Sequence, residues 1–158
     1  MGYLSCWRVE LTALILLLLG GCASVPIVPV RFDQEAKRFL PPTEGAGIYV
    51  LRSKDIIGSS VLFSIQLDDQ LAGRVAPGTY LYGPIPPGRH TLTATGGLPP
   101  KVASLAFSAE LGSLHFFKVG PGWAGLTLQH LSEEEGKGQL AEAQPSGENL
   151  LAPWVRIP

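Results

Sequence analysis

From residue 47 onward, apolar and polar positions alternate with a period of two. Seven short runs carry the pattern: GIYVLRS (47–53), VLFSIQLD (61–68), GTYLYGPI (78–85), RHTLTAT (89–95), ASLAFSAE (103–110), SLHFFKVG (113–120) and GLTLQHL (125–131). In the second run Val61, Phe63, Ile65 and Leu67 fall on one face and Ser64, Gln66 and Asp68 on the other; Leu105 and Phe107 alternate with Ser104 and Ser108 in the same way. Such runs are strands with one face inside and one wet. Turn chemistry separates them: Asp69-Gln70 reads as a tight hairpin, Pro87-Gly88 as a type II turn, and Gly112 as the turn between 103–110 and 113–120. The pattern predicts an all-β body, an antiparallel β-sandwich of about seven to eight strands over residues 46–144. Near its end, SEEEGKGQLAEAQ (132–144) predicts a short helix, with Ser132 and Glu135 at capping-box spacing and acids in the first turn.

The chain ahead of this body has a different pattern. LTALILLLL (11–19) is apolar but far shorter than the ~20 residues that a membrane-crossing helix needs, even with Gly20 and Gly21 added. With Arg8 before it, the stretch reads as the core of a signal peptide over residues 1–21. Leu19-Gly20-Gly21-Cys22 resembles the lipobox of bacterial lipoproteins, which is Leu, two small residues and Cys. That resemblance implies that the thiol of Cys22 carries a diacylglycerol, that the leader is cut before it, and that the new amino terminus receives a fatty acyl chain such as palmitate. Two or more long chains give stable membrane anchoring where one is marginal. In Gram-negative lipoproteins that this one resembles, a residue other than Asp after the lipidated cysteine permits transport to the outer membrane, so with Ala23 the resemblance implies a protein at its periplasmic face. Residues 22–45 then form a Pro-rich tether in which Asp33–Phe39 can make two helical turns, and residues 145–158 form a loosely held tail whose Leu150, Leu151 and Trp154 can dock on the body.

Composition narrows the partners. Twelve basic and thirteen acidic residues give a net charge of −1 with no basic block, so nucleic acid is not an expected partner. Of two cysteines, Cys6 lies in the leader and Cys22 bears the lipid, so the mature chain has no disulfide and packing must hold it together.

The stretches EAKRFLPPTEGAGIYVLRS (35–53) and IQLDDQLAGRVAPGTYLYGPIPPGRHTLTA (65–94) together resemble the DUF2846 family of bacterial lipoproteins. The likeness lies in an AK-x-F-x-PP opening, an IY-V-x-R strand, a hairpin with a central Asp, a G-T-Y step and a PG-x-H-x-L hairpin, and it covers roughly residues 33–143. Asp69 stands where the family's hairpin has Gly, a position with φ > 0 that Asp tolerates at some cost. The resemblance implies a β-sandwich lipoprotein of the cell envelope and no reaction.

Candidate chemistry is sparse. His90, His115 and His130 all fall on strands, yet their spacing matches no metal motif and each shares a face with apolar residues, which makes them structural histidines. Gly58-Ser59-Ser60-Val61 lacks the second glycine of a nucleophile elbow. Asp68-Asp69 reads as a solvated turn, since neighbours on a strand point opposite ways, and Glu133–Glu135 as a helix start. No metal and no cofactor are expected, nor an enzyme. The stronger candidate is aromatic: Tyr80 and Tyr82 share a face, Trp123 follows a turn, and Arg52 and Arg89 stand at strand ends, a set suited to stacking on sugar rings or a partner's apolar side chains. The expected function is therefore a lipid-anchored structural or interaction module of the cell envelope, with a carbohydrate- or peptidoglycan-binding module as the alternative.

Overall fold

The computed structural model describes residues 30–54, 61–123 and 125–148. Cys22, the Gly58–Ser60 stretch and the tail residues Leu150, Leu151 and Trp154 lie outside the described residues.

Two sheets stack as a sandwich. The first has the order β8-β7-β1-β4-β9, built from β1 (Ala46–Leu51), β4 (Thr79–Ile85), β7 (Leu114–Gly122), β8 (Gly125–Leu131) and β9 (Gln144–Pro145). The second has the order β3-β2-β5-β6, from β2 (Phe63–Leu67), β3 (Gln70–Val75), β5 (Gly88–Gly96) and β6 (Lys101–Ala109). All pairings are antiparallel except β1 with β7 and β4 with β9. The alternation read from the sequence places the core. Ile48, Val50, Leu81, Phe117 and Val119 of one sheet pack against Phe63, Ile65, Leu92, Ala94 and Phe107 of the other. Their removal from water is the main stabilising term, about 1.5–3 kcal/mol for each large side chain.

Three local expectations change. The β2–β3 turn is centred on Asp68-Asp69, one residue earlier than expected, with both residues at positive φ (50° and 65°) and Leu67 paired with Gln70. That is the backbone a two-residue hairpin of right-handed twist requires. It also starts a strand, β3, that the alternation did not single out. Pro86-Pro87-Gly88 is a corner and not a hairpin: β4 and β5 belong to different sheets. Two prolines donate no N–H to a ladder, and Gly88 at φ 142° takes a conformation barred to other residues, so the chain leaves one sheet and enters the other. Gly112 likewise links β6 and β7 across the sandwich.

The first sheet is covered on its outer face too. All six residues of β1 are buried, because Tyr49 and Leu51 face outward into a second core with Tyr80, Phe116, Leu140, Ala36 and Ala143. Two helices close it. The first, α1 (Val30–Ala36), begins three residues before the expected Asp33–Phe39 piece and ends at Ala36, three residues ahead of Phe39 with its φ of 53°. The other, α2 (Glu133–Leu140), has the expected capping box, with the Ser132 side chain accepting from the Glu135 N–H and the Glu135 carboxylate accepting from the Ser132 N–H. Gly136 is the point of contact between α2 and the sheet: a Cβ there would collide with the Phe116 ring. A glycine inside a helix costs about 1 kcal/mol relative to Ala, and here it permits the close approach.

Nor is the start of the tail loose. Gln144-Pro145 pairs with Thr79-Tyr80 at the sheet edge, and Ser146 is fully buried, its N–H donating to Tyr80 O (2.8 Å) and its hydroxyl to Arg74 O (2.7 Å). Glu148 lies 3.7 Å from Arg74. The backbone groups of an exposed edge are thus satisfied by the chain's own continuation.

Candidate functional site

The aromatic candidates are scattered by the fold. Tyr80 and Tyr82 do share a face, but it is the outer face of the first sheet, beneath the helices. Tyr80 is 1% exposed and donates its hydroxyl to Asp33 Oδ1 at 2.8 Å; Lys37 bridges the same carboxylate (2.9 Å) and the carbonyl of Ala143 (2.8 Å). Tyr82 stacks on Tyr49 at 4.5 Å, and Tyr49 stacks in turn on Phe116 at 4.9 Å. These three are cross-strand partners on β4, β1 and β7, so the stack follows directly from the register. Tyr49 donates to the Ala36 carbonyl at 2.7 Å and so fastens α1 to the sheet. Burial first, then Tyr82, pushes the Tyr49 phenol far above its ordinary range, and burial with the Asp33 carboxylate does the same to Tyr80. Both phenols stay neutral and act as hydrogen-bond donors.

The remaining members stand elsewhere. Arg52 is fully buried, its guanidinium 3.9 Å from the centre of the Phe63 ring and donating to Val61 O, so it is a cation held over an aromatic face and not a surface ligand group. Arg89 is exposed beside the Pro86-Pro87 corner. Trp123 is fully exposed at the turn between β7 and β8. Register separates it from Tyr80: Tyr80 lies in the row of Leu51 and Lys118, and Trp123 follows five residues after Lys118, roughly 16 Å along the strand. No shared binding face forms from these residues.

The fold instead assembles a pair that the linear sequence left apart. His90 and Asp68, 22 positions apart, meet because β2 and β5 are neighbours and the hairpin at Asp68 overhangs the start of β5. His90 Nδ1 lies 2.6 Å from Asp68 Oδ2 and Nε2 lies 2.8 Å from Pro86 O. A carbonyl and a carboxylate both accept, so this arrangement favours a ring with a proton on each nitrogen, the imidazolium. Asp68 is further held by the Thr91 N–H on Oδ1 (2.8 Å) and by its own N–H to Thr91 O (2.9 Å). Burial works against charge on both groups, but the mutual hydrogen bond and the backbone contacts outweigh it, raising the His90 pKa above its ordinary value and lowering that of Asp68. Asp68 is thus not a merely solvated turn residue. With both nitrogens engaged, His90 offers no lone pair to a metal or to a substrate proton.

His115 and His130 form a second group, rings 5.5 Å apart, with His115 beside Phe107 (5.2 Å) and His130 stacked on Phe117 (4.7 Å). The Ser113 hydroxyl donates to Glu110 O at 2.7 Å, so His115 Nε2, 2.8 Å from the same oxygen, donates to it. Burial holds both imidazoles below their ordinary pKa, and their proximity adds to the effect at His115. Among the described residues, no three or more His, Cys, Asp or Glu side chains are close enough to hold a metal ion. Spacing along the chain gave no signal for the Asp68–His90 contact, because the two residues meet only through the pairing of β2 with β5.

No family model matches the chain, and no solved structure matches it. An uncharacterized protein of Haemophilus influenzae is 31% identical over 133 residues, covering 81% of this chain and 77% of the relative. The chain belongs to the same family as this Haemophilus protein.

Proposed function

We propose that the chain is a cell-envelope lipoprotein, related to the DUF2846 lipoproteins, held by acyl chains on Cys22 at the periplasmic face of the outer membrane. Its sandwich is a structural or interaction module without catalytic activity of its own. The observation that carries this reading is how the reactive side chains are engaged: Tyr49 and Tyr80 bond to α1, His90 to Asp68 and Pro86, and Arg52 lies over Phe63. Each is committed to an internal contact. The apolar leader, the small pair Gly20-Gly21 and Cys22 in register support the anchor. No described helix is long and apolar enough to cross a membrane.

The test is direct. Mass spectrometry of the mature amino terminus finds acyl chains on Cys22, and a Cys22→Ala chain accumulates uncut. An unmodified start at another residue overturns the reading. Crosslinking in intact cells then identifies the partner. The carbohydrate- or peptidoglycan-binding alternative has lost Tyr80 and is left with Trp123 and Arg89 on the surface, so a murein pull-down that a Trp123→Ala variant abolishes would favour it.

A further inference from the structure

The sandwich has two unlike ends. Strand β1 runs parallel to β7, so the end where β1 finishes at Leu51 is the end toward which β7 continues to Gly122 and Trp123. Lys101, at the start of β6, lies against Gly125, which brings the tip between β5 and β6 to the same end. Here the barest large apolar side chains stand, Trp123 fully exposed and Leu98 96% exposed, with Val102 at 64%; at the other end Leu40 (64%) and Leu111 (66%) are also exposed, but no described tryptophan is. Beside them are the cations Lys101 and Lys54, the latter against Gly78 just before β4. The opposite end carries more acids than cations: Asp68-Asp69 at the β2–β3 turn, Glu110 and Glu44 in the adjoining loops and the three glutamates that open α2 after Leu131, against Arg38 and Arg89.

The course of the N-terminal segment selects between these ends. Going back along the chain, Pro42 lies against Gly47, Phe39 and Ala36 contact Tyr49, and Asp33 bonds to Tyr80, which is in the row of Leu51. The segment climbs antiparallel to β1, so Val30 is directed to the Trp123 end. Cys22 precedes Val30 by eight residues, a reach of at most ~28 Å when fully extended. We propose that the Trp123 end, with Leu98 and Val102, rests in the headgroup layer of the bilayer to which Cys22 is anchored, an inference that depends on the lipid-anchor reading above. The chemistry agrees on each count. Tryptophan favours the membrane–water interface, lysines beside apolar residues reach anionic headgroups, and, Glu142 apart, the acid-rich turns and the start of α2 are directed away from a negative surface.

The test uses the full acylated chain with Trp154→Phe; Trp7 leaves with the leader, so Trp123 becomes the single tryptophan. It is reconstituted in vesicles of phosphatidylethanolamine and phosphatidylglycerol with brominated acyl chains. The expected result is blue-shifted emission quenched by the bromolipid and at least threefold less quenched by aqueous iodide than in detergent-free vesicles carrying a Leu98→Ser/Lys101→Glu variant. Hydrogen exchange on the unsubstituted protein, slowed at 97–103 and 121–126 by vesicles, reports the same contact without any substitution. Acylated Cys22 with Trp123 open to iodide and silent to bromolipid overturns the orientation while leaving the anchor. A bare Cys22 overturns both. Emission that responds only to added muropeptides, or only to protein concentration, assigns this end to carbohydrate or to a second copy and likewise overturns the proposal.

Discussion

Removing the charge from one end of the Asp68–His90 pair gives a sharp test of how the β2–β3 hairpin is held. Asp68→Asn keeps the size and the acceptor for the Thr91 N–H but leaves His90 without an anion at 2.6 Å. His90 has its pKa raised on folding, so its contribution is complete below about 6.5 and fades as pH rises through the higher folded value. Asp68 has its pKa lowered, so its contribution is complete above its ordinary 3.8 and fades only as pH falls through the lower folded value. The pair is fully effective between those ordinary values. Hydrogen bonds to charged groups are worth about 1.5–3 kcal/mol and exposed ion pairs about 0.2–1 kcal/mol; the His90 side chain is 7% exposed and that of Asp68 48%, so solvent screening brings the sum to about 1 kcal/mol. His115 and His130 titrate in the opposite sense, their lowered pKa values favouring the fold as pH rises through the region of 6.5. The quantity to measure is therefore the difference between parent and Asp68→Asn in urea unfolding from pH 4 to 9. It should be about 1 kcal/mol at pH 5–6, or about 2–4 °C in Tm for a chain of this size, and shrink toward alkaline pH. A difference that is flat, or that grows above pH 7, would refute the imidazolium–carboxylate assignment.

The second core can be probed at its centre. Tyr49→Phe removes only the hydroxyl bonded to Ala36 O and should cost about 1 kcal/mol, whereas Tyr49→Ala also opens the stack with Tyr82 and Phe116 and should cost about 3–5 kcal/mol, both read by chemical denaturation. Gly136→Ala should destabilise by about 1–3 kcal/mol, although alanine is the better helix former, because its methyl group meets the Phe116 ring; a stabilised variant would show that α2 can lift away without loss.

Much of the body was legible in the chain because a strand's side chains alternate whatever it packs against. Phe63, Ile65, Leu105 and Phe107 are inward-facing as their spacing requires, and the Ser132–Glu135 cap is a local device complete within four residues. Where prediction and structure part, the reason is non-local. Tyr80 and Tyr82 share a face by periodicity, but only tertiary packing decided that α1 and α2 would cover it. Pro87-Gly88 signals a turn, and no local rule says whether the next strand stays in the sheet or leaves it.

Residue order by itself determined the strand periodicity, the capped helix and the placement of Cys22 behind an apolar run, since each depends on spacing within a few residues. Tertiary structure alone decided which sheet each strand entered, that His90 would reach Asp68, and that Trp123 would stand bare while Tyr80 was covered. The physical reason is that backbone geometry sets where neighbours point, whereas burial and pairing depend on what the rest of the chain brings against them.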